Sequence, residues 1–168
     1  MTSAINALVA DGNTVIPAGL LWGWRVLSPT VPFTQGAPYD DEKWIKALVL
    51  LTDGENMVSG GSNGFNEAVY NAFGYAKNGH LGNKNGSEAE ANLNDKMKQV
   101  CQAISKPAAP TTRSLSTRSA SKSATTTQNL LKNCATKPDM YYNSPTSEQL
   151  ATVFADIAQG LSELRIAQ

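Results

Sequence analysis

The 168-residue sequence contains no apolar run of the roughly 18 to 20 residues that a helix needs to cross a bilayer. It does not open on a basic segment followed by an apolar stretch, so the chain as given carries no secretion address. It has no excess charge either. Fourteen Lys and Arg balance fourteen Asp and Glu, so no global field draws in nucleic acid or an anionic membrane, and partners must be argued from local features. Its single histidine, His80, stands in a glycine-rich stretch with no cysteine or second histidine beside it, and reads as a surface loop residue rather than a metal ligand. Only two cysteines occur, Cys101 and Cys134. They fit either one disulfide in an oxidising compartment or two unrelated buried thiols, and composition does not choose between these. From Lys106 to Thr127 aromatic residues are missing altogether and Leu115 is the only large aliphatic one. Such a Ser, Thr, Ala and Pro stretch has little apolar surface to bury, which predicts disorder. Lys106, Arg113, Arg118 and Lys122 are dispersed within it and read as solvated linker charges, not as a nucleic-acid site.

What is present suits one packed domain over residues 1–168, since 41% of the residues are hydrophobic. A short helical signal, Ala4 to Val9, ends at the turn-prone Asp11-Gly12-Asn13. Thr14 can cap a second helix, in which Leu20, Leu21, Trp24 and Leu27 recur at helical spacing, Pro17 is tolerated near the first turn and Ser28-Pro29 ends the run. The nearly continuous apolar segment Ile45 to Thr52 predicts a buried parallel strand. Gly and Asn crowd the interval Gly54 to Gly86, which reads as a long surface excursion interrupted by a short helix around Asn66 to Phe73. Leu93, Met97, Val100, Cys101 and Ile104 share one face of a helix that begins near Ser87, with Ser87-x-x-Glu90 as a capping box. Order resumes at Gln128 to Cys134. A last helix carries Leu150, Val153, Phe154, Ile157, Leu161 and Leu164 after Pro145 and the box Thr146-x-x-Gln149. Trp22, Trp24 and Trp44 read as core or sheet-packing residues, and Asp40, Asp41 and Glu42 as a solvated turn.

The chemistry concentrates at Thr52-Asp53-Gly54. A carboxylate directly after a buried parallel strand lies at the sheet edge where open α/β folds bind ligands. Hard cations such as Mg²⁺ take oxygen ligands, and a threonine hydroxyl with an aspartate supplies part of an octahedral shell, which makes Thr14 the matching partner of Asp53. Each has a plainer role open to it: Asp53 as the cap of the following turn, Thr14 as a helix N-cap.

Gly12-Asn13-Thr14, Pro17-Ala18-Gly19-Leu20-Leu21-Trp22-Gly23-Trp24 and Leu50-Leu51-Thr52-Asp53-Gly54-Glu55-Asn56 together resemble the von Willebrand factor A (VWA) domain of TadG-like proteins. The likeness continues through Gly79-His80-Leu81-Gly82, the Leu93 to Cys101 helix, Leu130-Leu131, Cys134-Ala135, Tyr141-Tyr142 and Leu164-Arg165. It implies a three-layer, Rossmann-like α/β fold of which this chain is the C-terminal part, the first strands lying upstream of Met1. It also implies a metal-ion-dependent adhesion site in which Thr14 and Asp53 are two ligands. The Asp-x-Ser-x-Ser element that completes such a site stands nowhere in this sequence, so weak or no metal binding is expected of the chain alone, with Mg²⁺, Mn²⁺ or Ca²⁺ in the complete domain. The resemblance further implies a Cys101–Cys134 disulfide and a periplasmic or cell-surface, membrane-anchored parent. Its expected partners are pilus-assembly or envelope proteins of the Flp/Tad system, and nucleic acid is not among them. It gives no reason to expect an enzyme.

A VWA fold needs a core strand between the Leu93 and Leu130 helices, where only the Ser/Thr-rich stretch is found, so the chain is expected to lack that strand. Read from the third base of each codon, Thr111 to Ala120 permits Tyr-Thr-Val-Ala-Phe-Asn-Thr-Val-Gly, which resembles the absent strand. Two compensating insertions or deletions scrambling about Lys106 to Ser123 would account for it. Two other readings stand beside the adhesion module: a Rossmann-like hydrolase using Asp53 and Glu55, and an inactive fragment of a pilus-assembly gene.

Overall fold

A computed structural model describes residues 2–9, 12–58, 70–82, 86–105, 113–119, 125–143 and 147–166. They form an α/β fold around a parallel sheet of three strands. Strand β1 spans Lys46–Thr52, β2 Arg113–Ser119 and β3 Tyr141–Asn143. Their order is β1-β2-β3, with Lys46 opposite Arg113, Thr52 opposite Ser119 and Thr117 opposite Tyr141. Helix α3, Gly86–Ser105, connects β1 to β2, and α4, Thr125–Cys134, connects β2 to β3. Parallel neighbours require such crossovers.

The central strand therefore comes from the stretch whose composition predicts disorder, and the expectation that the chain lacks a strand there is corrected for Arg113–Ser119. Ladder hydrogen bonds are made by backbone groups, which all seven residues carry because none is proline. Side-chain composition is silent on that pairing. Residues 106–112 and 120–124, which complete the stretch, lie outside the described residues.

Helix α2, Ile16–Leu27, packs on β1 through the helical series Ile16, Leu20 and Trp24. Pro17 sits in its first turn, where a missing N–H has no consequence. Its end is held by Ser28, whose N–H donates to Arg25 O and whose hydroxyl donates to Trp24 O at 2.9 Å. Gly23 lets the helix come close, since a Cβ there would stand 3.1 Å from Leu48 Cδ1. The main core joins Ile16 and Leu20 to Met97, Cys101 and Ile104 of α3 and to Leu130, Leu131 and Cys134 of α4, with Leu48, Leu50 and Tyr141 packed against them. Each such aliphatic side chain contributes about 1.5 to 3 kcal/mol on burial. Cys101 and Cys134 form a disulfide across α3 and α4, with Cα atoms 5.1 Å apart.

Leu48 and Leu50 face this core, whereas Val49 and Leu51, on the opposite face of the strand, are 39% and 46% exposed. Among the described residues the helices α2, α3 and α4 share the core on the Leu48 and Leu50 face, and the Val49 and Leu51 face is left exposed. Trp24 is the one tryptophan that joins the core. Trp22 and Trp44 are exposed, a correction to the reading of all three as core or sheet-packing residues.

The interval after β1 is more than a surface excursion. Val58, Ala76 and Leu81 are buried with Ala89 and Leu93 of α3 in a second cluster, against which Val15 and Phe73 pack. Three polar side chains of α3 fix it: Glu90 accepts the Val58 N–H at 3.0 Å, Asn92 donates to Leu81 O at 2.7 Å, and Asn94 accepts from Asn56 Nδ2 at 2.8 Å. Glu90 is thus turned to Val58, and Ser87 lies inside the helix rather than at its cap. Gly79, at φ 74°, closes the 3-10 turn Ala76–Asn78 in the left-handed region that favours glycine. The short helix expected at Asn66 to Phe73 is not formed in its described part. Asn71 and Gly74 there exchange backbone hydrogen bonds in a tight turn, while residues 66–69 lie outside the described residues.

The N-terminal helix α1, Thr2–Asn6, buries nothing. Helix α5 spans Ser147–Ile166 and buries Ile157, while Phe154 is 45% exposed. Thr146 of its expected capping box lies outside the described residues. Among those described, no helix is long and apolar enough to cross a membrane.

Candidate metal site at the end of the first strand

β1 delivers Asp53 to the C-terminal edge of the sheet, where its side chain is exposed. The backbone then turns sharply, and the residue that holds this turn is Thr52. Its Oγ1 accepts the Gly54 N–H at 3.2 Å and donates to Gly54 O at 3.1 Å. The plainer role considered for Asp53, capping the turn, is thus filled by its neighbour. Asp53 has no hydrogen bond or ion pair among the described residues.

Thr14 arrives at the same place from the other side. Met57 N–H donates to Thr14 O at 3.0 Å, which aligns the segment before α2 with the segment after β1. A Cβ on Gly54 would lie 2.8 Å from Thr14 Oγ1, so the hydroxyl is pressed against the residue next to Asp53. Glycine at position 54 is what lets the two segments touch.

Thr14 is not the cap of α2, a correction to its plainer role. The N-cap position falls on Val15, whose side chain makes no capping bond. The Ile16 N–H is satisfied instead by Oδ1 of Asn56, at 2.9 Å, from forty residues away along the chain. Asn56 is buried, and its Nδ2 reaches Asn94 Oδ1 and lies 3.7 Å from Met97 Sδ. Sequence reasoning missed Asn56 because an asparagine in a Gly- and Asn-rich stretch reads as a turn former. Its place two residues after Gly54 in a segment that leaves a buried strand was the available signal.

The outcome is one hydroxyl and one carboxylate at the sheet edge, neither engaged by another side chain among the described residues. The donor set is oxygen only, which suits a hard divalent cation and supplies part of its shell. Among the described residues, no three or more His, Cys, Asp or Glu side chains gather as a metal-holding group. Glu55, the second carboxylate of the hydrolase reading, is exposed beside them. His80 lies on an exposed loop, its Nδ1 donating to Phe73 O at 3.0 Å. No protein-family model, no curated protein and no solved structure matches the chain.

Proposed function

We propose that this chain is part of a non-enzymatic, extracytoplasmic protein-binding module of VWA type, serving Flp/Tad pilus assembly or surface adhesion. The observation that supports the reading is the contact of Thr14 with Gly54, next to Asp53, which brings together two segments about forty residues apart that each carry one oxygen ligand. The buried Cys101–Cys134 disulfide suits an oxidising compartment. Thr14 and Asp53 would hold a Mg²⁺-like ion together with ligands from an upstream Asp-x-Ser-x-Ser element. Such an ion, when bound, offers an open coordination position to an acidic side chain of the partner. The chain's own task is to fix the hydroxyl and the carboxylate: Asn56 anchors the start of α2, Thr52 sets the turn, and α3 backs both.

Mn²⁺ titration followed by electron paramagnetic resonance tests the site. Wild-type protein should take up Mn²⁺ weakly, at about millimolar strength, because half the shell is missing. Asp53→Asn and Thr14→Val should each abolish that uptake. Uptake that is unchanged in both variants would remove the metal from the reading. Sequencing the gene and its upstream region is the second arm, with a frame encoding Asp-x-Ser-x-Ser as the expected result.

A further inference from the structure

At the opposite end of β1 from Asp53, a cavity of about 590 Å³ opens between the C-terminal end of α2 and the connection leading into the strand. Its walls are mainly apolar, with Val26, Phe33, Trp44 and Ile45 among them, and its volume falls in the range of small-molecule sites. Phe33 and Trp44 expose 37% and 59% of their surface, so aromatic faces are left to be covered.

Lys46, the first residue of β1, also lines this cavity, although it is only 7% exposed. Its ammonium donates to the carbonyl oxygens of Leu27 and Ala37 and stands 4.6 Å from the centre of the Tyr39 ring. These partners are dipoles and a ring face, so they solvate the charge without neutralising it. The described residues give Lys46 carbonyl and aromatic partners and no carboxylate. A buried cation without a counter-ion carries a desolvation cost that an anion would offset. Asp41 lines the same cavity and works against an anion, with one carboxylate oxygen accepting the Lys43 N–H at 3.1 Å.

We propose that this cavity binds a small amphiphilic carboxylate, its apolar body against Val26, Phe33 and Trp44 and its carboxylate paired with Lys46. The site is independent of the Thr14–Asp53 edge. Calorimetric titration with octanoate and with octanamide, the same body without the charge, tests it. Octanoate should bind about ten-fold more tightly than octanamide, and Lys46→Met should bring the two within about two-fold. Asp41→Asn keeps the acceptor for Lys43 and removes the repulsion, so it should tighten octanoate several-fold and leave octanamide unchanged. Trp44→Ala, at an exposed position, should weaken both. If octanamide binds as well as octanoate, if Asp41→Asn weakens octanoate, or if neither ligand binds at millimolar concentration, the proposal is overturned. Should Lys46→Met fail to fold, the Asp41→Asn arm still decides the sign of the charge.

Discussion

Oδ1 of Asn56 accepts the Ile16 N–H at 2.9 Å, so the first turn of α2 is capped by a side chain that belongs to the segment after β1. The same amide donates to Asn94 of α3. One buried residue thus ties the start of one helix, the end of one strand and the middle of a second helix. Thr14 stands two residues before Ile16 and Asp53 three before Asn56, so the same amide helps align the segments that carry the two candidate ligands.

Loss of that amide should be felt in stability before it is felt in binding. Asn56→Ala removes the cap and leaves Ile16 N and Asn94 Oδ1 without their partner, an expected cost of about 2 to 3 kcal/mol in urea denaturation. Asn56→Asp keeps the capping oxygen but sets a second acceptor against Asn94 and buries a charge, so it too should destabilise. Thr14→Ala should stay within about 0.5 kcal/mol of wild type. A Thr14→Ala cost equal to that of Asn56→Ala would return the capping role to Thr14.

Gly54 is the point of closest approach between the two segments. Gly54→Ala puts a methyl 2.8 Å from Thr14 Oγ1, a separation that packed atoms do not adopt, so the Thr14 side chain or one of the two segments must move. An overpacking cost of about 1 to 2 kcal/mol is expected, with loss of Mn²⁺ uptake. Adding Thr14→Gly should recover the stability and leave the uptake lost. Thermal melts and Mn²⁺ titration of the single and double variants separate these effects.

The disulfide closes a loop between residues 33 apart in sequence. Loop-closure entropy for that length corresponds to about 3 to 4 kcal/mol, so the Cys101→Ala/Cys134→Ala protein should unfold at distinctly lower denaturant concentration. Both sulfurs are buried in the main core, and reductant should act slowly on the folded protein and quickly in denaturant. Thiol alkylation followed by mass spectrometry under the two conditions checks this.

The elements that sequence placed correctly are those whose side chains declare them. The leucine run of β1 could be read directly as a strand and the apolar stripe of α3 as a core-facing helix, although the strand is not buried as expected, its Val49 and Leu51 face being exposed. Arg113–Ser119 could not, since its place between β1 and β3 is a property of backbone pairing with partners far away in the chain. The meeting of Thr14 with the Asp53-Gly54 turn was expected from resemblance. Its physical cause, a capping amide reaching back forty residues, leaves no local pattern around Thr14 to be read. Val58 and Leu81 were hidden for a related reason: single apolar residues in a polar stretch become core only once α3 supplies the surface.

Tyr141 opens β3 and packs against the main core, and burial pushes its phenol above the ordinary tyrosine value. Ionisation is therefore easier in the unfolded chain than in the folded one. As pH rises past about 10, the unfolded state loses the Tyr141 proton while the folded state retains it, so the unfolded state gains relative to the native one. Stability contributed by the neutral phenol is complete below that pH and declines until the folded group itself ionises. Urea midpoints should consequently fall between about pH 9 and pH 11. Tyr141→Phe keeps the ring against the core and removes the titrating group, so its midpoint should fall less over the same interval. Equal declines in both proteins would show that Tyr141 does not couple folding to alkaline pH, and would leave its packing against the core as its only contribution to the fold.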